Sequence, residues 1–152
     1  MTRRFVLVLV AAALLSGCAK GPPPPVSVDT RGDACAWCRM AVSDLRFAAQ
    51  LVAPAEEPMV FDDLGCLRSY LSGDARIPAG AVAYVADHRT RSWVPAARAV
   101  YAEVPGLSTP MASGLVAHAD EASRGMDPDA AGGRPRDIRD VFGEKIPPGG
   151  RP

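Results

Sequence analysis

Residues 33–42 read Asp-Ala-Cys-Ala-Trp-Cys-Arg-Met-Ala-Val, which puts two thiols and a thioether within six residues. Cys35 and Cys38 have the two-residue spacing with which a tight turn aims both sulfurs at one ion or joins them as a disulfide. Met40 adds a soft, uncharged sulfur, and thiolate with thioether is the donor set that favours Cu(I) over harder ions. Cys38 and Met40 lie two apart, so an extended segment turns both side chains to one side. Pairing Cys35 with Cys38 needs a turn instead, and no glycine lies between them. These features put the weight on Cys38 and Met40, with Cys35 as an auxiliary ligand.

Other residues could complete such a site. Met111 follows a proline at the start of an apolar run and lies near Gly114, which permits close backbone approach. Cys66 is an inert small hydrophobe, an auxiliary ligand or a disulfide partner of Cys35. Met59 and Met126 read as core filler, and Trp37 as a shield for the site or a packing residue. His88 lies in Asp87-His88-Arg89-Thr90-Arg91 and reads as a surface histidine in a polar turn. His118 precedes a helix cap and reads as local.

Three readings compete on these residues. Two or three soft ligands in an open site suit copper carriage, which needs no chemistry on a substrate. A thiol–disulfide enzyme would use Cys35 and Cys38, though its nucleophile belongs at a helix N-terminus and Met40 would have no part in it. A structural zinc or disulfide site would join Cys35, Cys38 and Cys66, with His88 or an aspartate as fourth zinc ligand. No Ser-His-acid pattern or glycine-rich phosphate loop points to a hydrolase or a nucleotide enzyme.

The elements that must position these groups follow a leader. Arg3 and Arg4 precede an apolar run over residues 5–15, and Leu15-Ser16-Gly17-Cys18 places small residues before a cysteine. The run is short of the roughly 20 residues of a membrane span. Residues 1–17 therefore read as a lipoprotein signal peptide, with cleavage before Cys18 and lipid on its thiol and amino group. Two or more acyl chains make a stable anchor, and Ala19 after the cysteine favours the outer membrane, facing the periplasm. That compartment is oxidising, and the three cysteines that remain are an odd number, so one thiol must stay unpaired or bind something.

The mature chain of 135 residues has 15 basic and 17 acidic residues, a balance that suggests no nucleic-acid partner. Residues 18–33 include Pro22-Pro23-Pro24-Pro25 and read as a polyproline spacer that holds the domain off the lipid surface. Residues 46–52 predict a strand and residues 59–61 its return. Asp62 and Asp63 cap a helix to about Leu71, where Leu64, Leu67 and Leu71 form one buried face. Residues 81–86 give the next strand.

The second half has a similar outline. Residues 99–104 and 111–118 predict strands, Asp120 caps a helix over residues 121–125, and residues 127–133 break it. Residues 137–142 read as a last strand or turn, and 147–152 as a disordered tail. The expected fold is α+β, a pseudo-repeat of two small ββαβ units spanning residues 34–91 and 92–146. A single continuous domain stays open.

The lipobox, the Cys-x-Met of Cys38 and Met40, and Val60-Phe61-Asp62-Asp63-Leu64-Gly65-Cys66 together resemble the NosL-like lipoproteins, the accessory proteins of nitrous oxide reductase. Residues 92–101 (Ser-Trp-Val-Pro-Ala-Ala-Arg-Ala-Val-Tyr) and 109–114 (Thr-Pro-Met-Ala-Ser-Gly) are similar to further marks of that family. The resemblance covers residues 35–119, and it lies in the order and spacing of these motifs. It implies a membrane-anchored, periplasm-facing Cu(I) chaperone, not an enzyme, that serves nitrous oxide reductase or its maturation proteins. It implies a fold of two ββαβ-type units, with copper on Cys38, Met40 and Met111. The chain departs from the family in carrying Arg39 where relatives often have glycine, and in Pro128 and Gly132-Gly133 cutting the final helix.

Overall fold

The computed structural model describes residues 21–74, 76–147 and 149. The leader, the expected lipidation site at Cys18 and most of the expected tail lie outside these residues. No helix among the described residues is long and apolar enough to cross a membrane.

The fold is α+β, with two small antiparallel sheets and short helices. The first sheet contains β1 (Ala49–Val52), β2 (Met59–Phe61), β3 (Val82–Ala86) and β4 (Trp93–Pro95) in the order β2-β1-β3-β4. The second contains β5 (Val100–Glu103), β6 (Leu115–His118) and β7 (Arg134–Arg136) in the order β6-β5-β7. Helix α1 (Leu64–Ser72) joins β2 to β3, and α2 (Glu121–Gly125) lies between β6 and β7. Each half therefore runs strand, strand, helix, strand, with its first strand central, which is the connectivity the sequence pattern predicts. A last helix, α3 (Ile138–Phe142), follows β7.

The differences have local causes. Trp93–Pro95 pairs with β3, so a strand from the start of the second segment extends the first sheet. Residues 45–47 form a 3-10 turn capped by Asp44, whose carboxylate accepts from the Arg46 N–H, and β1 begins only after it. Residues 134–136 pair with β5 to give a strand that the Pro-Gly composition concealed. Asp137 caps residues 138–142 as a helix where a strand or turn was expected.

Leu64, Leu67 and Leu71 are buried as their spacing predicts, and they pack with Leu51, Phe61, Val85 and Leu115 in the main core. Burial of each such side chain stabilises the fold by roughly 1.5–3 kcal/mol. The alternate face of the first sheet is covered too, which corrects the reading of residues 18–33 as a free spacer. The Val26 N–H donates to Gln50 Oε1 at 2.8 Å, Gln50 Nε2 donates to the Val26 carbonyl at 3.2 Å, and the Tyr84 hydroxyl donates to the Pro23 carbonyl at 2.7 Å. Val26 packs beside Val52, Val82 and Tyr84. The proline segment is strapped to the sheet, and Gln50 is buried without cost because its amide is used on both sides.

Candidate metal centre

The sulfur motif folds back on itself. Ala34 and Ala41 form an antiparallel bridge, the Cys35 N–H donates to the Met40 carbonyl at 2.7 Å, and the Arg39 N–H donates to the Cys35 carbonyl at 3.0 Å. The Ala36 N–H reaches the Val60 carbonyl on β2 at 2.7 Å, which fixes the turn against the first sheet. The segment is thus a turn and not an extended strand. Arg39 has φ +66°, a left-handed conformation that glycine adopts freely and other residues at a cost. Position 39 is therefore one whose backbone suits glycine.

Helix α1 brings the third thiol. Asp63 is its N-cap, with its side chain accepting from the Gly65 N–H at 2.6 Å, so Cys66 sits in the first helical turn. The sulfur atoms of Cys35, Cys38 and Cys66 all lie within 4.8 Å of one another. Cys35 and Cys66 are buried, Cys38 is half-buried, and all three are unpaired thiols. Asp63 already takes the first N–H groups of α1, the Gly65 N–H through its carboxylate and the Cys66 and Leu67 N–H groups through its carbonyl.

Asp63 has a second task. Its other carboxylate oxygen accepts from the Thr109 hydroxyl at 2.6 Å and the Met111 N–H at 2.9 Å, which ties the 109–114 loop over the start of α1. Gly65 makes that approach possible, since a Cβ there would lie 2.8 Å from Ser113 Cβ. Met111 therefore lies in a turn and does not open a strand; Ala112 at φ +55° and Gly114 at φ +66° keep the backbone out of the sheet until Leu115. Met111 shares a small pocket of about 110 Å³ with Trp37, Cys66 and Ser113.

The three sulfurs differ electrostatically. Burial works against ionisation of Cys35, but N–H groups of Asp62, Cys38 and Trp37 outweigh it, and its thiol lies below the ordinary value. Burial pushes Cys38 up, more than the Met40 N–H pulls it down, and a charge on Cys35 adds to the push. Burial, followed by charge on Cys35, pushes Cys66 furthest. Cys35 is the first to ionise, and the other two protons await a cation.

Cys35, Cys38 and Cys66 converge, so Cys35, read as auxiliary, is central and Cys66 joins it. Met40 is 47 % exposed and Met111 41 % exposed, and of the two Met111 shares the small pocket beside Cys66 with Trp37. Met59 packs against the core as expected, whereas Met126 is 61 % exposed and is not core filler.

A second cluster contradicts the reading of both histidines as surface or local. His88 and His118 are buried, and both point at one oxygen of the buried Asp127. His88 Nδ1 lies 2.6 Å and His118 Nε2 2.8 Å from Asp127 Oδ2. Strand alternation carried part of the signal, since His118 shares a face with buried Val116. Asp127 read only as a helix breaker before proline. Comparison of the chain with protein-family models, with curated proteins and with solved structures finds no match.

Proposed function

We propose that this protein is a Cu(I) carrier that holds one copper ion on Cys35, Cys38 and Cys66 and passes it to a protein acceptor. The observation that carries this reading is the convergence of three unpaired thiols within 4.8 Å, two of them buried in the main core and Cys38 half-buried. Three soft sulfurs complete a low-coordinate Cu(I) site, whereas structural zinc takes four ligands. Among the described residues no histidine, aspartate or glutamate joins the cluster to supply a fourth. The N–H groups of Asp62, Cys38 and Trp37 around Cys35 offset part of the negative charge that thiolates bring into a buried site.

The accessible sulfurs explain how a buried ion could leave. Cys38 is the most accessible of the three thiols, and Met111, an exposed neutral sulfur that shares a pocket with Cys66, can take copper transiently as thiols are handed over. The resemblance to NosL-like lipoproteins supports copper delivery for nitrous oxide reductase assembly, from a lipid anchor at Cys18 facing the periplasm.

Reduced protein titrated with Cu(I) against a chromogenic chelator tests the carrier reading. One tightly bound equivalent is expected, with a loss of more than tenfold in affinity, above about 1.4 kcal/mol, for Cys38→Ala and for Cys66→Ala. Unchanged affinity in a Cys35→Ala, Cys38→Ala, Cys66→Ala variant contradicts it. The acceptor is tested separately, by transfer of copper to the apo form of nitrous oxide reductase or its maturation proteins.

A further inference from the structure

His88, His118 and Asp127 bring two imidazoles and a carboxylate together away from the thiols. Their side chains are 1 %, 0 % and 4 % exposed. Three donor atoms, one from each residue, lie within 4.8 Å of one another. The second carboxylate oxygen of Asp127 accepts from the Asp129 N–H at 3.1 Å, which orients the group. The His88 ring packs at a tilt of 51° against Phe47, with ring centroids 5.0 Å apart, so an apolar wall backs the cluster.

Both imidazoles converge on one carboxylate oxygen. If both near nitrogens donate to Asp127, the far nitrogens, His88 Nε2 and His118 Nδ1, remain buried with no partner. We propose that His88, His118 and Asp127 form a second metal site, in which a borderline divalent cation such as Zn²⁺ binds His88 Nδ1, His118 Nε2 and Asp127 Oδ2 while each imidazole proton passes to its far nitrogen.

The chemistry of the donors supports that class of ion. Imidazole and carboxylate suit Zn²⁺ and similar divalent ions, and Cu(I) prefers the sulfur cluster. Tetrahedral zinc with bonds near 2.0–2.1 Å holds its ligand atoms about 3.3 Å apart. The two nitrogens stand 2.6 and 2.8 Å from the shared oxygen, so sub-ångström side-chain shifts open the site. Asp127 also lines a surface pocket of about 440 Å³ with Glu121, Arg124 and Met126. The ion would act as a staple. His88 leaves the first sheet just after β3, and His118 and Asp127 belong to the second half.

This site stands independently of copper carriage, and its test begins without the thiols. A Cys35→Ala, Cys38→Ala, Cys66→Ala variant titrated with Co²⁺ is expected to bind one equivalent, with visible d–d bands and no sulfur-to-cobalt charge transfer. Adding His118→Gln is expected to abolish that binding. Zinc K-edge absorption of the unmodified chain, loaded with two equivalents of Zn²⁺, covers the case in which the variant does not fold. Imidazole scattering beside a sulfur shell, lost in His118→Gln, supports the site. A folded variant that takes up no Co²⁺, or a zinc spectrum with sulfur neighbours alone, overturns it.

Discussion

Cys35 sets the terms at the residue scale, because it is the thiol that the backbone prepares for charge. Metal uptake must displace protons from Cys38 and Cys66, which burial holds above the ordinary thiol value. Protons therefore compete with Cu(I), so apparent affinity falls as the solution is made more acid and rises with pH until the free thiols ionise. Chelator competition at pH 6, 7 and 8 is expected to give tightening at each step; a flat profile contradicts displacement of thiol protons. Arg39 offers a second test. Its left-handed backbone, at φ +66°, costs about 1–2 kcal/mol for a residue with a Cβ. The added freedom of glycine in the unfolded chain returns part of that. Arg39→Gly is expected to stabilise the protein by roughly 0.5–1 kcal/mol in urea unfolding, with copper affinity unchanged.

The contact between α1 and the 109–114 loop decides the site's shape at the element scale. Gly65→Ala drives a Cβ to 2.8 Å from Ser113 Cβ, and the loop must move. A loss of about 1–3 kcal/mol is expected from such overpacking. Thermal unfolding and Trp37 fluorescence would report it, since Trp37 and Met111 line the same small pocket. The helix itself was legible from Leu64, Leu67 and Leu71 and from the aspartate cap. The site was legible in its residue types and misread in its geometry. A two-residue spacing implies a shared side only in extended chain, and the turn at residues 36–38 instead closes Cys35 onto Cys38. Nothing local in the sequence marks Asp63 as both a helix cap and the tether of a loop 46 residues away.

Two halves of like connectivity form one body, and polar ties fasten them at the scale of the whole molecule. The Ala119 N–H and Ser123 hydroxyl both donate to Asp87 at 2.7 Å, and the His88 N–H donates to the Ala117 carbonyl at 2.8 Å. The repeat was readable because proline turns and aspartate caps recur in order. These ties were not, since partners such as Asp87 and Ser123 are 36 residues apart and each reads as an ordinary turn or helix residue. The strap has a consequence for stability. Removing residues 1–28 strips the partners from Gln50 and Tyr84 and uncovers Val52 and Val82. A loss of roughly 2–3 kcal/mol is expected relative to a chain starting at Gly21, measured by urea unfolding. Equal stability of the two would mean that the strap only rests on the sheet.

The central claim is that three thiols share one Cu(I). Copper K-edge absorption of the reduced protein, loaded with a single equivalent, measures it most directly. A three-coordinate shell of sulfur alone is predicted, falling to lower coordination in Cys66→Ala. A shell unchanged by Cys66→Ala, or one containing nitrogen or oxygen, would contradict it.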